Sequence, residues 1–169
     1  VELHPVFEES FILVFPKDFR EPLDLVGLPS SLPFIRFSRL TGTGQQIERQ
    51  IVRMKLKLPH MVEVESSHQQ LALVAAGIGW AITTPVCLAA VPELLSQLRA
   101  EPMTRGRFSR SVQVVARIDE LGNIPSLTAA LCQQVLQEKI FPPLIEEYPW
   151  MAQQLAWPSA SAENEELIA

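Results

Sequence analysis

The chain has 169 residues, 47% of them hydrophobic and 20% charged, with a formal net charge of -5. That is enough apolar material for one domain or two small lobes with a buried core, and no run approaches the ~18 consecutive apolar residues of a membrane helix. Five of the 19 acidic residues follow Lys139, after which there is no Lys or Arg, so residues 1–139 balance 14 acidic against 14 basic side chains and show no basic stripe for duplex DNA.

The first residues carry Glu2, Glu8 and Glu9 in place of a basic start and a long apolar segment, so nothing points to secretion or a membrane and a cytoplasmic protein is expected. Ser10 to Phe15 reads as the first strand, with nothing ahead of it that could form a sheet for it to join. Pro16, Pro22, Pro29 and Pro33 punctuate a loop holding at most a short helix at Leu23–Leu28. Pro33 to Phe37 is the next strand. In the following SRLTGTGQQ, Thr43 and Gln46 have capping-box spacing, and Gly42 and Gly44 permit close backbone approach. The helix after it places Ile47, Ile51, Met54 and Leu58 on one face and ends at Pro59. Its basic residues, Arg49, Arg53, Lys55 and Lys57, crowd the C-terminal half, where they complement the helix dipole.

His60 leads into a short strand, Val62 to Glu65. Ser66 and Gln69 repeat the capping-box spacing, Leu71, Val74, Ala75 and Ile78 recur at helical spacing, and Gly77 stops the helix. The bare apolar run Trp80–Ile82 reads as a strand buried on both faces; Thr84-Pro85 starts another helix with a hydroxyl at the cap and proline in the first turn. Trp80 in such a run is a core residue before it is a stacking platform. Beyond it come a helical piece at Pro92–Leu98, strands near Leu98–Met103 and Ser111–Arg117, and the turn LGNIP. Ser126 can cap a helix with the apolar face Leu127, Leu131, Val135 and either Leu136 or Ile140, terminated by Pro142-Pro143. Residues from Ser159 onward are small and acidic, the composition of a disordered tail.

Two successive βαβ units are implied, and right-handed crossovers put their strand-to-helix turns on one sheet edge, where open α/β sheets bind ligands. Each turn carries hydroxyls: Ser38, Thr41 and Thr43; Ser66 and Ser67; Thr83 and Thr84. Ordinary capping explains each turn singly. Three helix N-termini converging with hydroxyls would suit a carboxylate or another small anion. Catalytic and metal-binding readings are weaker. Cys87 and Cys132 lie in apolar helical patterns and read as reduced core residues, and His4, His60 and His68 share no ligand spacing with them, so neither a metal nor a cofactor is expected. His68 adjoins Ser66 and Ser67, but neighbours on a helix point different ways and no acid is placed to orient the ring. The densest basic stretch, Arg99 to Arg110, reads as a solvated loop before it reads as an anion or partner site.

The strings LPFIRFSRLTGTGQQIERQI, VEVESSHQQLALVAAGIGWAITTPVCL and FSRSVQVVARIDELGNIPSLTAAL resemble, in order and over roughly Glu8 to Ile140, the effector-binding domain of LysR-type transcriptional regulators. VAAGIGWAITTP is the most telling piece. The resemblance implies an α/β lobe like those of type 2 periplasmic binding proteins, with a mixed, mainly parallel sheet and helices on both faces, and an effector held between two lobes. It implies a second lobe over residues 11–117, a remnant of the first lobe or crossing strand at 1–10, a return to the first lobe with the C-terminal helix at 118–148, and a disordered acidic tail over 149–169. It also implies no enzymatic activity, DNA contact only through a region absent from this chain, and a homo-oligomeric full-length protein, in which the Ile47–Leu58 stripe could serve as interface. The effector contacts it implies are Ser38, Thr41, Thr43, Ser66, Ser67, His68, Thr83, Thr84 and Pro85, with Thr41 foremost. A solute-binding lobe of a transport protein, or an enzyme on the same fold, is the alternative. The full-length gene would discriminate: an upstream helix-turn-helix supports the regulator, a signal peptide the transporter.

Overall fold

Backbone pairing divides the chain at Ser10/Phe11 and at Phe108/Ser109, into one unit of Val1–Ser10 with Ser109–Ala169 and another of Phe11–Phe108. The second division falls ahead of Arg117, where the sequence suggested it. The computed structural model describes residues 1–20, 32–59 and 61–158; the expected helix at Leu23–Leu28, His60 and the tail from Ser159 lie outside the described residues.

In the Phe11–Phe108 unit, β2 (Ile12–Pro16) pairs antiparallel with both β5 (Ala81–Thr83) and β6 (Leu98–Pro102), and β3 (Ile35–Phe37) pairs parallel with β4 (Val62–Val64). A single parallel bridge, Phe34 to Trp80, joins the two groups. The order is therefore β4-β3-β5-β2-β6, mixed, with β4, β3 and β5 running the same way. Alternation along the strands separates two apolar faces. On one, Leu13, Phe15, Phe34, Trp80 and Ile82 pack with Ile47 and Ile51 of α1 (Gly42–Arg53) and with Leu58. That stripe, offered as an interface, is core: Ile47, Ile51 and Leu58 are buried. Trp80 is fully buried and stacks on Phe15. The other face receives α2 (Ser67–Ala75), through Leu71 and Val74, and α3 (Pro85–Ala89), through Leu88.

Helix ends depart instructively from expectation. Gly77 stops α2 as anticipated, at φ 79°, with its own amide on the Val74 carbonyl and that of Ile78 on Leu73, the two bonds of a Schellman motif. Ile78 itself is exposed. The same pair of bonds ends α1 well before Pro59: Lys55 sits at φ 56°, its amide on Val52 and that of Leu56 on Ile51. A lysine thus occupies the left-handed position that glycine fills in α2.

In the other unit, β1 (Glu2–Ser10) pairs antiparallel with β7 (Ser109–Ala116) and with β8 (Leu155–Ala156). β1 falls in the residues 1–10 that the resemblance gives as a remnant of the first lobe or crossing strand, and it carries Pro5; the register shifts between Pro5 and Phe7, and a bulge is where a strand tolerates proline. Glu9 is fully buried against the Arg110 guanidinium at 2.7 Å. α4 (Ile124–Val135) begins two residues before Ser126, which lies inside its first turn and donates to the Asn123 carbonyl. Its buried residues are Pro125 and Ala129, while Leu131, Val135 and Cys132 of the predicted core face are exposed. Pro142-Pro143 do not terminate the helical run. A π turn, Leu136–Ile140, leads directly into α5 (Phe141–Glu147), where the prolines occupy the first turn and need no amide bond. Residues 149–158, expected within the tail, form a 3-10 turn (Pro149–Gln154) and β8, with Met151 buried and Trp157 beside Phe7 and Phe141.

Candidate functional site

Register places the C-terminal ends of three strands level. Ile35, Arg36 and Phe37 face Val62, Glu63 and Val64, and Phe34 is bridged to Trp80, in parallel throughout. The turns into α1, α2 and α3 therefore leave one edge of the sheet, in the spatial order Ser66 (after β4), Ser38–Thr41 (after β3), Thr84 (after β5). This is the arrangement that right-handed crossovers require.

The hydroxyls at that edge differ in what they do. Thr41 caps α1: its Oγ1 accepts from the Gly44 amide at 3.0 Å and donates to the Ser38 carbonyl at 2.8 Å. The cap is not the Thr43/Gln46 box, because the chain enters the helix at Gly42. Gly44 makes this possible, since a Cβ there would lie 2.0 Å from the Ser38 carbonyl oxygen, whereas one at Gly42 would meet nothing. The close approach is thus between Gly44 and the end of its own strand. Ser38 is buried and its Oγ accepts from the Leu40 amide at 3.3 Å. Thr43 follows in the first turn, half-buried.

Ser66 is the N-cap of α2 by backbone conformation, yet its side chain makes no cap hydrogen bond, so the Ser66/Gln69 box is not formed. Ser67 and His68 follow in the first turn, Ser67 half-buried and His68 exposed. His68 is not without an acid: Nε2 lies 3.3 Å from Glu93, a residue distant in sequence, but both side chains are more than half exposed. Thr83, Thr84 and Pro85 are buried, with Thr84 at the N-cap of α3.

Arg39 and Arg36 share Glu48, the former at 3.1 Å. Arg36 also donates to the Leu58 carbonyl at 2.6 Å and stands over the Phe34 ring, so both cations hold α1 on the sheet. The Arg99–Arg110 stretch is not a loop of free cations. Arg99 lies on β6 beside Glu101 at 3.1 Å, Arg107 donates to the Met103 carbonyl, and Arg110 on β7 holds Glu9.

One residue at this edge escaped the sequence reading. Gln70 is fully buried on the sheet-facing side of α2; its Nε2 donates to the Ile35 carbonyl at 2.9 Å, and its Oε1 has no partner. Its signal was a glutamine beside Leu71 in an otherwise apolar stripe. An open groove of about 740 Å³ runs outside β4 and α2, lined by Glu63, Val64, Glu65, Gln69, Ala72 and Leu73. Of the anticipated contact residues, none lines it. Among the described residues no group of three or more His, Cys, Asp or Glu could hold a metal, and no helix is long and apolar enough to cross a membrane.

No curated protein sequence matches the chain. Among solved structures it is similar to the effector-binding domain of QuiR in complex with shikimate, at 14% identity, TM-score 0.60, over 78% of this chain and 63% of that one. A cysteine-to-serine mutant of Corynebacterium glutamicum OxyR, H2O2-bound, aligns at 20% identity, TM-score 0.62, over 88% and 48%. Full-length HypT from Salmonella typhimurium, a hypochlorite-specific LysR-type transcriptional regulator, aligns at 14% identity, TM-score 0.61, over 79% and 46%. The chain thus spans less than two thirds of each. At these identities the likeness establishes the fold, that of the effector-binding domains of LysR-type regulators. The description of the LysR substrate binding domain matches residues 1–139; the chain belongs to that family.

Proposed function

We propose that this chain is the ligand-sensing part of a bacterial LysR-type transcription regulator and that it binds a small anionic effector without transforming it. The observation that carries the reading is the level ending of β3, β4 and β5, which brings the starts of α1, α2 and α3 to one edge with their hydroxyls. Helix starts present unpaired N–H groups and partial positive charge, which reward a carboxylate without a buried cation. Shikimate on QuiR and bromide on the regulatory domain of HypT are anions held by proteins of the same fold, and they support the choice. The proposed contacts are Thr41, Ser66, Ser67 and Thr84 first, with Ser38, Thr43, His68, Thr83 and Pro85 around them. We further propose that the whole protein works in the cytoplasm as a homo-oligomer and touches DNA through another region. Effector binding then acts by unequal affinity for two conformations of the regulator.

Thermal-shift screening of the chain against small carboxylates and inorganic anions tests the reading. A saturable rise in unfolding temperature with a carboxylate, lost in Ser66→Ala, is the expected result. Uniform indifference to every anion up to millimolar concentration would remove the anionic-effector reading.

A further inference from the structure

We infer that the Gln70 side-chain carbonyl is the group that selects a hydroxylated acid over its deoxy counterpart, so that the effector is a small hydroxycarboxylic acid; this rests on the anion-binding reading above. Gln70 is fully buried, and its Nε2 donates to the Ile35 carbonyl at 2.9 Å. Only the amide nitrogen can donate to a carbonyl, so the bond fixes which way the carboxamide faces and turns Oε1 away from Ile35. That oxygen is buried and has no partner. A buried, unpaired acceptor costs free energy and is retained where something completes it.

The surroundings say where this acceptor stands. β3 and β5 share one bridge, Phe34 to Trp80, and part beyond it toward their C-terminal ends. The Ile35 carbonyl, one residue past the bridge, is taken by the Gln70 carboxamide reaching from α2. Gln70 also lies four residues after Ser66 and three after Ser67, on the same face of α2 and one turn deeper. Helical side chains lean toward the N-terminus of their helix, which brings the carboxamide beneath the start of α2, the helix whose cap serine makes no cap bond. Two complementary elements thus belong to one helix start: N–H groups that can donate to a carboxylate, and one turn on a side-chain carbonyl that needs a donor. A hydroxyl brings a donor and no charge.

The test titrates the 169-residue chain with matched pairs of acids, butyrate against 3-hydroxybutyrate, succinate against malate, and benzoate against its three hydroxybenzoates. Isothermal titration gives affinities, and the side-chain amide signals of Gln70 are followed in 15N-labelled protein. The expected result is that in at least one pair the hydroxy acid binds about tenfold more tightly and alone moves the Gln70 side-chain signals. Gln70→Met should abolish the difference between the two acids of that pair. Equal affinities within every pair, unmoved Gln70 signals, or a preference that survives Gln70→Met would each overturn the inference while leaving anion binding in place. Absence of binding by any acid would instead remove the parent reading, and this one with it. Should the Gln70→Met chain fail to fold, the signals of the unmodified chain decide.

Discussion

The rings of Phe11 and Phe108 stack with centroids 4.0 Å apart at 9°, and the Phe11 amide donates to the Phe108 carbonyl at 3.0 Å. The first and last residues of the Phe11–Phe108 unit are therefore joined by backbone and side chain at once. The unit closes on itself.

That closure is measurable. Phe11 is buried and Phe108 half-buried, so Phe11→Ala should cost about 3–5 kcal/mol and Phe108→Ala somewhat less. A double-mutant cycle in urea should give a coupling of about 0.5–1.5 kcal/mol, the excess of a stacked pair over its area. Strict additivity would mean that the rings pack on the core independently.

Two glycines two residues apart should answer oppositely to alanine. Gly44→Ala drives a Cβ into the Ser38 carbonyl, forcing α1 off the end of β3 at a cost of about 1–3 kcal/mol or more. Gly42→Ala meets open space and should be neutral or stabilise by up to about 1 kcal/mol. Thermal unfolding of the two variants checks the pair, and equal effects would count against the close approach at Gly44.

Thr41 and Ser66, two of the cap residues at the sheet edge, differ in that the first makes its cap bond and the second does not. Thr41→Ala removes a formed cap and should lower stability by about 0.5–2 kcal/mol. Ser66→Ala removes no cap bond and should leave stability within about 0.5 kcal/mol. Any loss of carboxylate binding in Ser66→Ala can then be read as lost contact. A large destabilisation by Ser66→Ala would show that the hydroxyl is engaged after all.

Lys55 holds the left-handed end of α1 at φ 56°, a conformation that disfavours side chains bearing a Cβ by roughly 1–2 kcal/mol. Lys55→Gly relieves that strain against the extra freedom it gives the unfolded chain, and a net gain of about 0.5–1 kcal/mol is expected. Chemical denaturation of the variant reports it, and a loss of stability would place a stabilising role on the lysine side chain.

Local chemistry in the sequence determined where the chain turns and which way it runs. Gly77, the bare Trp80–Ile82 run, Thr84-Pro85 and the hydroxyls after Phe37 mark alternating strand and helix starts, and their alternation alone implies parallel strands with their helix starts on one edge. Family resemblance was legible for the same reason, because its motifs lie in those turns. Tertiary structure decided the rest. Thr41 and not Thr43 caps α1 because Gly44 lies against Ser38, a contact that spacing alone does not specify. The Leu131 and Val135 stripe of α4 has helical periodicity but stays exposed, since periodicity reports a face and not what covers it. β1 carries a proline and is held as a strand by β7 and β8, both distant in sequence. Gln70 reads as one more polar residue until the parting of β3 and β5 leaves a backbone carbonyl for its amide and an oxygen without a partner. Pairings between distant segments leave no periodic trace in either segment, so they emerge only when the chain is folded.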